Sequence, residues 1–282
     1  MSEGSTVSFD LDGVLMQNPF LRGVFPHARR HMRSSARLRD LAPAEADGLV
    51  DQAVREAWSK RMLAGEFVDA YDWDAIYRDV SDAFGVPPVG DVAELVARYC
   101  REPGVITLLP GAEDALHLLR EAGHRLIAIT NGHYAYQWPV LEALGIAHSF
   151  DEVLTPDQVG YAKPDPRIFE RAGSTVHVGD TLLHDVLGPR LAGVTSIWVH
   201  AGLPEAIRAI PVSERTADAG FGQYLQQVLE SVPFRRFHPE ADLANCTPEF
   251  VVADALEAAL VIVGDSSSGG PSGGRCWEPW YR

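Results

Sequence analysis

From Pro110 onward, short apolar runs alternate with helical stretches at a spacing that leaves few folds open. Pro110-Gly111 opens a helix to Ala122, Gly123 ends it, and Leu126–Ile129 is a strand of the fully buried kind running into Thr130-Asn131-Gly132. A helical stretch at Leu141–Leu144, a short strand over Phe150–Thr155, a loop from Gly160 to Asp165 and a helix containing Ile168 and Phe169 follow. Thr175–Val178 is a strand ending in Gly179-Asp180, with Asp185 and a helix to Ala192 behind it; Ser196–Val199 and Val251–Val252 complete the set. Strands alternating with helices in this way form a parallel sheet covered by helices. The expected class is α/β, with a Rossmann-like core.

One more strand stands far upstream. Val7–Phe9 delivers the chain to Asp10-Leu11-Asp12, and Gly13 lets the backbone turn. Ligands of open α/β sheets bind at the carboxyl ends of strands. Two carboxylates crowded there repel unless a cation or a proton resolves the charge. Alone, the pattern is equally an Asp-rich turn.

Residues 16–105 carry helical patterns and no convincing strand. Pro43–Leu63 repeats Leu49, Ala53 and Ala57 at spacings of four; Asp72 caps a helix with the stripe Trp73, Ile76, Tyr77, Val80 and Phe84; Asp91 caps a third through Val92, Leu95, Val96 and Tyr99. This stretch is expected to be an all-helical module inserted after the first strand. The expected layout is therefore a core of 1–15, 106–202 and 248–264, a helical insert of 16–105, a second insertion of unknown role at 203–247, and a flexible tail at 265–282. The second insertion, with one helix at Tyr224–Val232, would build a partner interface or a homodimer contact.

A net charge of −15 argues against nucleic acid and anionic membranes as partners. The chain has no apolar run near the length of a membrane span and no secretory pattern at Met1–Val7. Cys100, Cys246 and Cys276 form an odd set without metal spacing, which fits a reducing, cytoplasmic setting.

Four polar clusters follow strands or the loops behind them: Asp10/Asp12, Thr130/Asn131, Lys163 and Asp180/Asp185. Singly these are a turn, a solvated loop lysine and a helix cap. A parallel sheet brings them to one edge, where carboxylates, an ammonium and a hydroxyl suit a hard divalent cation with an oxyanion. Magnesium takes oxygen ligands, commonly one or two carboxylates beside a substrate phosphate. Lys163 would neutralise phosphoryl oxygens or the nucleophile, and Thr130 with nearby amides would hydrogen-bond them.

Phe9-Asp10-Leu11-Asp12-Gly13-Val14-Leu15, Ile129-Thr130-Asn131-Gly132, Gly160-Tyr161-Ala162-Lys163-Pro164-Asp165 and Val178-Gly179-Asp180 with Asp185 resemble the four ordered motifs of the haloacid-dehalogenase-like hydrolases. The resemblance covers roughly residues 5–200 and the last strand, and implies a Rossmann-like sheet with a helical cap after the first motif. It implies Asp10 as the nucleophile that forms an aspartyl-phosphate and Asp12 as the general acid and base. Thr130 and Asn131 with Lys163 would bind phosphate. Mg2+ would be held by Asp10, the Asp12 carbonyl and Asp180; Asp185 would ligate it, act through water, or orient Lys163. The implied activity is Mg-dependent hydrolysis of a small phosphorylated metabolite.

The dehalogenating members lack an acid where Asp12 stands. The sugar phosphomutases share it but carry a cap histidine soon after the first motif, and the local pattern Met16-Gln17-Asn18-Pro19-Phe20 is unlike theirs. A phosphatase is favoured; a phosphomutase, or a catalytically silent binding or regulatory member, is the alternative. For the rest of the substrate, the stretch Arg22–Arg39 holds six arginines, two histidines and no acid. Arg22 and His27, nearest the catalytic loop, are the candidates for a second anionic group. Trp58 and Arg61, and His133, Tyr134 and Tyr136, are candidates to rim the cleft.

Overall fold

In a computed structural model, which describes residues 4–232, 235 and 238–264, the buried apolar runs pair into one parallel sheet. The elements in order are β1 (Thr6–Phe9), β2 (Met16–Gln17), α1 (Phe25–Met32), α2 (Pro43–Ala64), α3 (Trp73–Phe84), α4 (Val92–Tyr99), β3 (Thr107–Leu108), α5 (Ala112–Glu121), β4 (Arg125–Ile129), α6 (Tyr134–Ala143) and β5 (Glu152–Leu154). The remainder are α7 (Pro156–Val159), α8 (Pro166–Ala172), β6 (Val176–Gly179), α9 (Gly188–Leu191), β7 (Thr195–Val199), α10 (Glu205–Arg208), α11 (Val212–Arg215), α12 (Ala219–Ser231), β8 (Phe250–Val252) and α13 (Ala255–Val263). The six-stranded sheet runs β5-β4-β1-β6-β7-β8, all parallel, with β1 in the middle. Val7, Phe9, Leu126, Ile127, Val176 and Val178 are buried whichever face they point to, as strands covered on both sides require. No described helix is long and apolar enough to cross a membrane. The tail 265–282, with Cys276, lies outside the described residues.

The stretch read as wholly helical, 16–105, begins in strand, and a second strand follows just beyond it. Met16–Gln17 pairs antiparallel with Thr107–Leu108, so both passages between the sheet and the helices α1–α4 run through one short ribbon. Two-residue strands carry too little pattern to be recognised in sequence. Within the helical part, the side chains of Asp72 and Asp91 accept the amides of Ala75 and Glu94 and start α3 and α4 as their positions predict.

Residues 203–247 form α10, α11 and a helix α12 that starts five residues earlier than its apolar pattern indicates. The Asp218 side chain accepts the amides of Gly220 and Phe221 and nucleates a first turn that two glycines had disguised. Phe221, Leu225 and Leu229 of α12 pack with Trp198 and Val251 into a second apolar core against the β7–β8 edge. Arg215 is buried there, donating to the Val251 carbonyl and pairing with Glu257 at 2.9 Å.

Candidate active site

Because Phe9 stands opposite both Ala128 and Val178, the residues that leave β1, β4 and β6 reach the same sheet edge at nearly the same level. Asp10, Thr130 and Asp180 therefore converge. Gly13 makes the turn after Asp12 with φ +82° and comes so close to Asp180 that a Cβ would lie 2.3 Å from its Oδ2. Only a residue without a side chain fits both demands.

Lys163 is buried and its Nζ lies between two carboxylates, 3.0 Å from Asp10 Oδ1 and 2.5 Å from Asp185 Oδ1. The Asn131 amide holds the backbone that carries Lys163: Asn131 Oδ1 accepts the Lys163 N–H at 2.7 Å and Nδ2 donates to the Lys163 carbonyl at 2.9 Å. Asp185 is fully engaged. Its Oδ1 also meets His177 Nε2 at 3.0 Å, and its Oδ2 accepts the Thr181 amide and hydroxyl at 3.0 and 2.7 Å. Ser8 Oγ is 2.9 Å from the other nitrogen of His177, so a chain of contacts runs from β1 through β6 to Lys163.

These contacts sort the carboxylates. Burial raises Asp185, but Lys163 and then His177 outweigh it and hold the group well below the carboxylate range. Burial pushes Asp10 up to about 7 against the pull of Lys163. Burial also pushes Asp12 up to about 6, although Asn18 and Gln137 donate to it. Asp180 is raised well above the usual range by burial and by the neighbouring charges of Asp10 and Asp185. Lys163, despite burial, is held above the usual lysine range by Asp10 and Asp185, so it stays an ammonium.

Asp10, Asp180 and Asp185 have carboxylate oxygens within 4.8 Å of one another. The oxygens of Asp185 already carry a lysine, a histidine and two Thr181 donors. Asp10 and Asp180 carry repulsion that a hard cation relieves, and oxygen donors suit magnesium. Asp12 turns away from this pair. Asn18 donates to it from its backbone at 3.0 Å and its side chain at 2.6 Å, and Gln137 Nε2 stands 3.3 Å away.

A cavity of about 270 Å³ opens over this edge, with Asp10, Asp12, Thr130, Asn131, Lys163 and Asp180 at its polar end. Thr130 Oγ1 accepts the Gly132 amide at 3.2 Å. The residues expected to meet the rest of the substrate divide. Trp58 and Tyr136 line the cavity, whereas Arg22 and His27 are not brought to it. Arg22 Nη1 donates to the Gly104 carbonyl, and His27 Nδ1 lies 3.2 Å from Tyr99 Oη. Much of the rest of the basic stretch is engaged inside the cap: Arg29 forks onto Asp51, Arg33 onto Asp47, and His31 and Arg37 bond the Pro87 and Ala83 carbonyls. Arg61 pairs with Asp79, His133 bonds the Val68 carbonyl, and Tyr134 stacks on Trp138. The acids that answer these arginines stand on α2, in sequence beyond a stretch that looked unopposed.

Several contributors had no signal in the chain. Asn18 sits beside a proline in what reads as a plain loop, Gln137 lies mid-helix, and His177 is one residue of a buried strand. The largest omission is α12, whose Val228, Ser231 and following Val232 form a wall of the cavity, joined by His184 and His238.

A family model described as haloacid dehalogenase-like hydrolase matches residues 5–193. Phosphoserine phosphatase of Thermus thermophilus is 34% identical over 231 residues, 72% of this chain and 91% of that protein. Glyceraldehyde 3-phosphate phosphatase of Methanothermobacter thermautotrophicus is 42% identical over 107 residues, 35% of this chain and 47% of that one. Among solved structures, a HAD phosphatase from Thermococcus onnurineus superposes with TM-score 0.53 at 27% identity, over 71% of this chain and 88% of that chain. L-2-haloacid dehalogenase from Xanthobacter autotrophicus, at 20% identity, shares the fold over 93% of this chain and 99% of its own with TM-score 0.55. The six-stranded parallel sheet, the motif residues on its edge and these relatives agree: the chain belongs to the haloacid dehalogenase-like hydrolases and is of their phosphatase type.

Proposed function

We propose that the protein hydrolyses a small phosphorylated metabolite with magnesium, through phosphorylation of Asp10. The observation that carries this reading is the set of bonds on Asp10. Both Lys163 Nζ and the Leu11 amide engage Oδ1, at 3.0 and 2.8 Å, which leaves Oδ2 as the attacking oxygen. Asp10 Oδ2 forms the bond to phosphorus as the bond to the leaving oxygen breaks, and Asp12 gives that oxygen its proton. Water then attacks the phosphoryl group, Asp12 recovers a proton from it, and phosphate departs with Asp10 restored. A carboxyl near 6 can hold a proton for the first half and accept one in the second.

Lys163, Thr130 and the amides around Gly132 would receive the phosphoryl oxygens. Asn131 and Asp185 are positioning residues that aim Lys163. Asp10 and Asp180, with the Asp12 carbonyl, would hold the magnesium, which supplies charge neutralisation between carboxylate and phosphate when bound. Hydrolysis is favoured over phosphoryl transfer back to the organic product because the cap's His27 and His31 are engaged with Tyr99 and Pro87, away from Asp12.

Phosphate release from p-nitrophenyl phosphate, with magnesium and with EDTA, tests the reading. Magnesium-dependent turnover is expected. Turnover that survives EDTA would overturn it.

A further inference from the structure

Asp12 is gripped from two sides. Among the described residues three donors reach its carboxylate: the Asn18 amide on Oδ1 at 3.0 Å, and Asn18 Nδ2 and Gln137 Nε2 on Oδ2 at 2.6 and 3.3 Å. Asn18 stands just past β2 on the loop that carries Asp12, and its own Oδ1 accepts the Phe20 amide at 3.0 Å. Gln137 comes from α6, 125 residues further along the chain, and supplies the contact from outside that loop.

Gln137 is 3% exposed and lines the cavity, with Nε2 on Asp12 and Oε1 buried without a hydrogen-bond partner. A buried acceptor left unsatisfied destabilises the fold. Methionine or leucine would fill similar space without that penalty. Turning the amide round would set Oε1 against an Asp12 oxygen, acceptor to acceptor. What the amide contributes is therefore its donor on Asp12. The turn before α6 leaves room for it: a Cβ on Gly132 would lie 2.2 Å from Gln137 Nε2 and 2.9 Å from its Cδ and Cγ.

We infer that Gln137 is a positioning residue for the acid–base step: with Asn18 it covers Asp12 Oδ2 with donors, and so confines the transferable proton to Oδ1 of a carboxyl group held in one orientation. This rests on the phosphatase reading and deepens it. In the first half the proton leaves Asp12 Oδ1 for the ester oxygen as the phosphorus–oxygen bond breaks. In the second, the attacking water gives a proton back to Oδ1 as its oxygen bonds to phosphorus. A carboxyl group free to turn would aim that proton correctly only part of the time, and the rate falls with the misplaced fraction. The demand differs between esters. p-Nitrophenolate leaves as a stabilised anion, whereas the more basic phenolate relies on the proton.

The test compares kcat/KM, which reads the half that expels the alcohol, for phenyl phosphate and p-nitrophenyl phosphate with magnesium. The two esters share a ring and differ in how much the leaving oxygen needs a proton. Gln137→Met is expected to lower kcat/KM for phenyl phosphate at least tenfold, by a factor at least three times that for p-nitrophenyl phosphate. Gln137→Leu, read in the same way, takes its place if the methionine variant does not fold. A loss on phenyl phosphate below tenfold, or two losses that differ less than threefold, would overturn the inference, while turnover by the unmodified protein leaves the phosphatase reading intact. Failure of both variants to fold would make the amide structural and overturn the inference likewise. No turnover of either ester by the unmodified protein would overturn the phosphatase reading, and this inference with it.

Discussion

At the scale of single residues, the site depends on how Asp185 spends its two oxygens. One faces the Lys163 ammonium and His177, the other both donors of Thr181, so the carboxylate acts as a fixed counter-charge. Removing one partner of a buried ion pair costs about 3–5 kcal/mol. Asp185→Asn is expected near the low end, about 3 kcal/mol, because Asp10 remains beside Lys163. Urea unfolding measures the loss; a change under about 0.5 kcal/mol, which is what ordinary surface substitutions produce, would contradict this account. The four motif clusters were legible in the sequence because carboxylates, a lysine and a hydroxyl recur after successive strands. The division of labour among the carboxylates was not. Whether Asp185 met a metal or a lysine depended on His177 and Thr181, whose types carry no hint of it.

At the scale of elements, the loop and helix after β4 join the sheet to the cap. Asn131 Nδ2 donates to Tyr71 Oη at 3.0 Å, His133 Nε2 donates to the Val68 carbonyl at 3.1 Å, and Tyr136 Oη donates to Asp74 Oδ2 at 2.7 Å. The residue after Thr130 therefore also touches the cap, so the loop that in the proposed reading would receive the phosphoryl oxygens is tied to it. Tyr136→Phe removes the bond to Asp74 Oδ2 together with the one its hydroxyl accepts from the Asp74 amide at 3.3 Å, each worth about 1 kcal/mol. It is expected to raise KM several-fold with a smaller change in kcat, measured on whichever ester turns over best. An unaltered KM would show that these bonds do not hold the cap. The alternation of strands and helices was readable because the buried strands are rich in Val, Ile, Leu and Phe and most are set off by turn residues. The ribbon Met16–Gln17/Thr107–Leu108 was hidden because its partners lie ninety residues apart in sequence and are two residues each. The basic stretch misled for a related reason: Arg29 and Arg33 find their acids, Asp51 and Asp47, on α2 across a loop.

At the scale of the whole molecule, the buried carboxylates make stability depend on pH, and a cation bound between Asp10 and Asp180 would change that dependence. Unfolded aspartates titrate near 3.9, whereas Asp10 and Asp12 are pushed up to about 7 and 6, and Asp180 is raised as well. The native protein therefore holds more protons than the unfolded chain at these groups between about pH 4 and 7, so their contribution to stability declines as pH rises through that window. Buried His177 and His184, both pushed down, contribute in the opposite sense over part of the same range, with or without metal. The increment due to magnesium isolates the carboxylates, because the ion displaces the protons that burial favours. Magnesium is expected to raise Tm more at pH 7.5 than at pH 5. An increment equal at the two values, or larger at pH 5, would contradict the assignment of Asp10 and Asp180.

In the proposed mechanism Asp10 itself carries the phosphoryl group between the two halves of the reaction. A single turnover of a monoester labelled with 32P, run with magnesium and quenched in acid, reads this step. Label is expected on the protein, released by hydroxylamine and absent from Asp10→Asn. Phosphate released in the first turnover without label ever appearing on the protein, or label persisting in Asp10→Asn, would contradict it.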